Sequence, residues 1–327
     1  MPTCMAYIYL LFIIWLQTLV VDVLRKNTGE MSGLSGLQQK CRQTKQCVGQ
    51  SVQSDEFKYN MDYLDTVELL MCSQVQVSDG LAFVRTLEQE ARLHRAVNHP
   101  YLHQLVTADV PDIQWALTDF VFQYSAYSFD FIRYLTATIA QMAHDPHRKA
   151  LLQNLVEESG KIDTDNMALL ASMGIEQAWV DGVPHTELFL RYLNAAGVNA
   201  TYRQKNSYAE AAIHWRDQFF SLCFRKGPAQ ALGAMGLGTE NIVRYIYQQL
   251  IQAMERHLDI ALRDRVFFDL HAAIDDQHGD TLLNITMDYA VSEEQREQIR
   301  EGMLTALNLR AAFFDALQAR AMAIKPV

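Results

Sequence analysis

Phe267-Phe268-Asp269-Leu270-His271-Ala272-Ala273-Ile274-Asp275-Asp276-Gln277-His278 runs without a proline or glycine, and its pattern is helical. His271, Asp275 and His278 then stand at i, i+4 and i+7 and share one face. That face presents imidazole, carboxylate and imidazole, donors suited to a first-row metal ion. A solvated helix end rich in His and Asp would carry the same residues. Two features count against it: Phe267, Phe268 and Leu270 precede the face, and Ala272, Ala273 and Ile274 lie between its donors. Asp276 is turned about 100° from Asp275 around the helix and is read as a spectator.

Helical patterning continues outward in both directions. Asp264–Leu283 is the helix that carries the stretch. Downstream, Ser292-Glu293-Glu294-Gln295 forms a capped start, with Ser292 as N-cap and acids in the first turn, and the helix extends to about Met322. Upstream, Ala229–Leu258 is expected as one helix, with Gly233, Gly236 and Gly238 permitting close helix approach or a local distortion beside Glu240. Ser207–Phe224 is another. His185 opens a helix after Pro184 that Gly197 closes, and Asp163–Met173 is a short piece stopped by Gly174. His147–Gly160 precedes it. Ile113–Met142 reads as one long helix with aromatic residues on many faces, which implies deep burial. Val110-Pro111-Asp112 and Asn98-His99-Pro100 are breaks, and a helix opens at Leu81 after an Asp79-Gly80 break. Strand patterning is almost absent, so the fold class is all-α, a multi-helix bundle.

Half of the 327 residues are hydrophobic, enough for a sizeable core. A formal net charge of -10 argues against nucleic acid as a partner. Cys4, Cys41, Cys47, Cys72 and Cys223 are an odd number without a C-x-x-C pair, which fits a reducing compartment, the cytoplasm. Met5–Leu24 is an almost unbroken apolar run followed by Arg25-Lys26. It has the length of a membrane anchor with the protein body on the cytoplasmic side, and translation from Met31 or Met61 is the rival explanation. Residues 1–26 are therefore read as an apolar segment, 27–60 as a polar linker and 61–327 as the helical domain. Membrane association through Met5–Leu24 and a homodimer remain open.

A helix bundle that binds a metal pair draws its ligands from several facing helices. Suitable donors here are Glu158, His185, Glu240, His271, Asp275 and His278. Three carboxylates and three imidazoles would largely neutralise two ferrous ions and leave open positions. Glu157 is the alternative to Glu158, and Asp165, seven residues after Glu158, is the alternative to His185. Glu240 has a competing reading as a surface pair with Arg244 at i+4.

The order of these motifs resembles the heme-oxygenase-like diiron oxidases and oxygenases. This family of iron-containing redox enzymes is related in fold to the oxidase of pyrroloquinoline quinone synthesis and to the chlamydial death-domain-associating protein. The resemblance rests on Asn154-Leu-Val-Glu-Glu158, Pro184-His185-Thr-Glu-Leu188-Phe189 with Gly197, Ala231-Leu-Gly-Ala-Met-Gly-Leu-Gly-Thr-Glu240, and His271-x-x-x-Asp275-x-x-His278. It spans roughly Leu93 to the C-terminus. It departs from the family in the 27 positions between Glu158 and His185, so Asp163–Gly182 is read as an insertion at the mouth of the pocket.

The resemblance implies a heme-oxygenase-like bundle and six metal ligands, Glu158, His185, Glu240, His271, Asp275 and His278. It implies two ferrous ions, with manganese an option in one position, and dioxygen as co-substrate for oxidation of a small organic molecule. Two alternatives stand beside it: a metal-free oxidase of the same fold acting on a cofactor precursor, and a non-enzymatic interaction protein.

Overall fold

Local capping chemistry sets several helix starts in the computed structural model, which describes residues 79–325 and, within them, leaves the side chains of 275–278 undescribed. The chain is helical through 79–93 (α1). There follow α2 (Pro100–Thr107), α3 (Ile113–Ser128), α4 (Phe131–Gln141), α5 (Asp145–Glu158), α6 (Thr164–Ser172) and α7 (Gln177–Val180). Next come α8 (His185–Ala195), α9 (Ala200–Lys205), α10 (Glu210–Arg225) and α11 (Pro228–Leu232). A π-helical segment, Gly233–Glu240, leads into α12 (Asn241–His257), and α13 (Leu262–Tyr289) and α14 (Glu293–Met322) complete the bundle. No strand occurs among the described residues.

Several starts follow from side chains that accept orphan backbone N–H groups. Asp112 Oδ1 accepts from Trp115 N at 2.9 Å, opening α3. Asp163 accepts from both Asp165 N and Asn166 N at 2.9 Å, opening α6. Ser292 and Gln295 form a reciprocal capping box at the head of α14. His99 serves α2 in the same way, its Nδ1 accepting from Tyr101 N at 3.1 Å.

Four boundaries differ from the sequence expectation. Ile113–Met142 is two helices, because the backbone turns at Phe129-Asp130 before Arg133 N donates to Asp130 O at 2.9 Å. Asp79 and Gly80 are helical; Gly80 suits the interior of α1 because a side chain there would meet Met287 O at 3.1 Å. Ala229–Leu258 is divided by the π-helical segment. Asp163–Gly182 is more than a cover for the pocket mouth, since Leu170, Ile175 and Val180 are fully buried within it.

α14 crosses α11 and the π-helical segment at unusually short range. A Cβ at Gly233 would fall 2.0 Å from Ile299 O, and one at Gly302 would fall 2.1 Å from Gln230 O. Only hydrogen fits there. Across this crossing Met303, Ala306, Leu307, Phe313 and Phe314 of α14 are buried. At the far end Arg320 Nε and Nη2 donate to the buried Asp119 at 2.8 and 2.7 Å, tying α14 to α3.

Met5–Leu24 and residues 27–60 lie outside the described residues. Among those described, no helix is long and apolar enough to cross a membrane.

Candidate metal centre

Glu158 is the last residue of α5, and the chain then turns through Gly160 at φ 99°. A Cβ on Gly160 would lie 2.5 Å from the Val183 backbone, and Gly182 N donates to Gly160 O at 2.8 Å. The segment between them therefore leaves and returns at one point. Pro184 then starts α8 with His185 as its first helical residue. This closure is how Glu158 and His185 become neighbours despite their separation in sequence.

Both side chains are buried, and His185 Nδ1 lies 3.0 Å from Glu158 Oε2. The pair is close but misaligned: His185 Nδ1 makes no hydrogen bond of acceptable angle. The two groups form an ion pair when His185 is protonated, and with His185 neutral they could serve a common metal ion. His271 supplies the next donor from α13. Its Nδ1 bonds Phe267 O at 2.6 Å, which fixes that nitrogen as the N–H and leaves the Nε2 lone pair to coordinate. The His185 and His271 rings meet edge to face with centroids 4.6 Å apart.

One donor atom each from Glu158, His185 and His271 lies within 4.8 Å of the others, and all three residues are buried. Donors held at about 2.0–2.2 Å from a first-row ion sit up to about 4.4 Å apart, so only slight closure is needed. Two imidazoles and one carboxylate with open positions are the donor set of non-haem ferrous sites. The residues fit iron.

Glu240, the last residue of the π-helical segment, is buried and lines the same cavity of ≈ 40 Å³ as Glu158, His185 and His271. Tyr124, Tyr127, Thr239, Val243, Tyr247 and Phe267 complete most of its wall. The Tyr124 and Tyr247 hydroxyls share a 2.7 Å hydrogen bond, and the Tyr247 ring stands edge-on to His271 at 6.0 Å. Burial raises Tyr127 above the ordinary phenol range, so its hydroxyl stays protonated.

His185 rather than Asp165 stands beside Glu158, because Asp165 is exposed in the first turn of α6. Glu157 accepts from Gln153 Nε2 at 3.0 Å and borders a smaller pocket that His185 also lines. Asp275 and His278 have helical backbone within α13, but their side chains lie outside the described residues. Among the described residues the donors that converge come from α5, α8 and α13. Tyr247 and Thr239 were missed as pocket residues. Tyr247 stands seven residues after Glu240, a same-face spacing that could have flagged it.

Comparison with known proteins agrees with this picture. A domain of unknown function with a heme oxygenase-like fold from Shewanella denitrificans OS217 superposes with a TM-score of 0.53 at 16% identity, covering 72% of this chain and 89% of that one. A CADD-like protein of unknown function from Nostoc punctiforme PCC 73102 gives 0.59 at 15% identity, covering 75% and 100%. A TenA homologue from Pseudomonas syringae pv. tomato strain DC3000 gives 0.53 at 14%, covering 72% and 91%. At such identities the likeness establishes the heme oxygenase-like fold alone. No curated protein matches the sequence. The model of a family described as iron-containing redox enzymes matches residues 118–311, more than half of the chain, and the protein belongs to that family.

Proposed function

We propose that the protein is a non-haem diiron oxidase or oxygenase that uses dioxygen to oxidise a small organic substrate. The observation that carries this is the buried convergence of Glu158, His185 and His271, with His185 Nδ1 unbonded beside a carboxylate oxygen. These three residues would hold one iron. Glu240 on the same cavity wall, with Asp275 and His278 one and two turns along α13 from His271, would hold the second, with manganese an option there. When bound, ferrous iron supplies open coordination positions and the electrons that dioxygen reduction requires.

The chain supplies the rest. Phe267 O orients His271 and fixes its tautomer. Val243, Phe267 and the edge of Tyr247 keep bulk water from the donors, which strengthens every charge interaction in the cavity. The paired hydroxyls of Tyr124 and Tyr247 form a short protonic link along the wall, able to pass a proton between substrate and interior.

Anaerobic reconstitution with ferrous iron, followed by oxygen exposure under optical spectroscopy, tests the reading. Uptake of two irons per chain and an oxygen-dependent visible absorption change are expected. A chain that takes up no iron, or whose iron leaves dioxygen untouched, contradicts it.

A further inference from the structure

Beside the metal donors the cavity carries polar groups that the proposed chemistry leaves unused. Tyr127 and Thr239 both line it; their hydroxyls are within reach of one another, and neither makes a hydrogen bond of good geometry. Beside them Arg310 is 1% exposed, with Nε and Nη1 unsatisfied. Neither nitrogen has a hydrogen-bond partner among the described residues. The guanidinium carbon lies 4.9 Å from the Trp215 ring centre and 5.7 Å from that of Tyr127, while the two rings stack at 3.9 Å. These cation–π contacts offset part of the cost of its burial, but they supply no counter-charge.

A buried guanidinium without a counter-ion is costly unless an anion joins it. Two hydroxyl donors at the cavity wall in its field are complementary to the two oxygens of a carboxylate, and a cavity of ≈ 40 Å³ admits a small head group. We propose that Tyr127 and Thr239 bind the carboxylate of a small substrate by hydroxyl donation, with Arg310 behind them as the positioning charge. The carboxylate end is thereby held at the wall, and the adjoining carbon is directed to the Glu158–His185–His271 cluster. The role of substrate rests on the iron reading above, whereas binding of the carboxylate itself does not require iron.

The test uses the full chain stripped of metal with EDTA, titrated with sodium propionate, propionamide and sodium chloride at matched ionic strength. Thermal melting and tryptophan fluorescence report binding, since Trp215 borders the site. Propionate is expected to raise the melting midpoint and alter emission saturably, while propionamide and chloride do neither. Thr239→Val and Arg310→Gln are each expected to weaken propionate binding about tenfold or more. Arg310→Lys is expected to recover part of that loss, which a purely structural arginine would not show. Equal responses to propionate and propionamide, or to propionate and chloride as for an adventitious ion, overturn the proposal. So does wild-type affinity in Thr239→Val, a variant that keeps side-chain shape and decides the matter if Arg310→Gln fails to fold. Saturable propionate binding by a chain that takes up no iron would sink the iron reading alone. Iron uptake without propionate binding would sink this one alone.

Discussion

A histidine becomes a directed ligand only when something else holds its other nitrogen. At His271 that holder is a carbonyl one turn back on the same helix, at 2.6 Å from Nδ1. At His185 the constraint is positional, since Pro184 and the Gly160 turn place the ring at the start of α8 against Glu158. Cys223 shows what burial does to a residue with no such task. It is fully enclosed, and burial pushes its thiol up to about 12. At mildly alkaline pH it therefore stays a thiol, and thiolate is the reactive form. Alkylation mapped by mass spectrometry should leave Cys223 unmodified in the native protein and label it fully in denaturant. Equal labelling in both would show that this part of the core opens freely.

At the scale of elements, α2 makes an unusual demand on its cap. His99 must accept at Nδ1 from Tyr101 N, while Nε2–H faces Asp315 at 3.3 Å. Burial, helped by the charge of Arg95 and opposed by Asp315, lowers its pKa below 6.5. The unfolded chain then binds a proton near 6.5 that the folded state resists, so this contribution is intact above 6.5 and is lost as pH falls below it. Urea denaturation should show stability falling from about pH 7.5 to about pH 5.5, with part of that slope absent in His99→Asn, which keeps an N-cap acceptor. An identical slope in the variant would remove His99 from the account. The crossing of α14 with α11, just before the π-helical segment, gives a sharper expectation. Gly302→Ala puts a methyl carbon 2.1 Å from Gln230 O and should cost about 2–3 kcal/mol or more in the same assay. Wild-type stability in Gly302→Ala would mean that the two elements are not so closely apposed.

These elements differ in how far the sequence announces them. Ser292, Asp112 and Asp163 cap helices where side-chain chemistry says they should, because capping is a local property. The division of Ile113–Met142 was hidden because aromatics on every face erase the periodic signal that a break would interrupt. The glycines before Glu240 signalled close approach or distortion, and both occur. That the distortion is π-helical depends on how α14 seats against Gly233, which is a tertiary fact.

In the whole molecule the cavity lies where α3, α5, α8, the π-helical segment, α12 and α13 meet, with each contributing a wall or a donor. The ordered motifs revealed that donors from distant positions belong together. Which of them converge was legible only in part. Spacing within one helix marks His271, Asp275 and His278 as a unit, and packing adds to His271 the donors Glu158 and His185 from two other helices, a meeting that no local spacing announces. The measurement that tests this most directly is anaerobic ferrous binding in Glu158→Ala, His185→Ala and His271→Ala, with Asp165→Ala as the control at the rival, exposed position. Each of the first three is predicted to lose more affinity than the roughly 10–100-fold typical of groups that only orient a ligand, while Asp165→Ala keeps that of the wild type. Undiminished iron binding in the three, or a loss confined to Asp165→Ala, would contradict the assignment of this cluster as the metal centre.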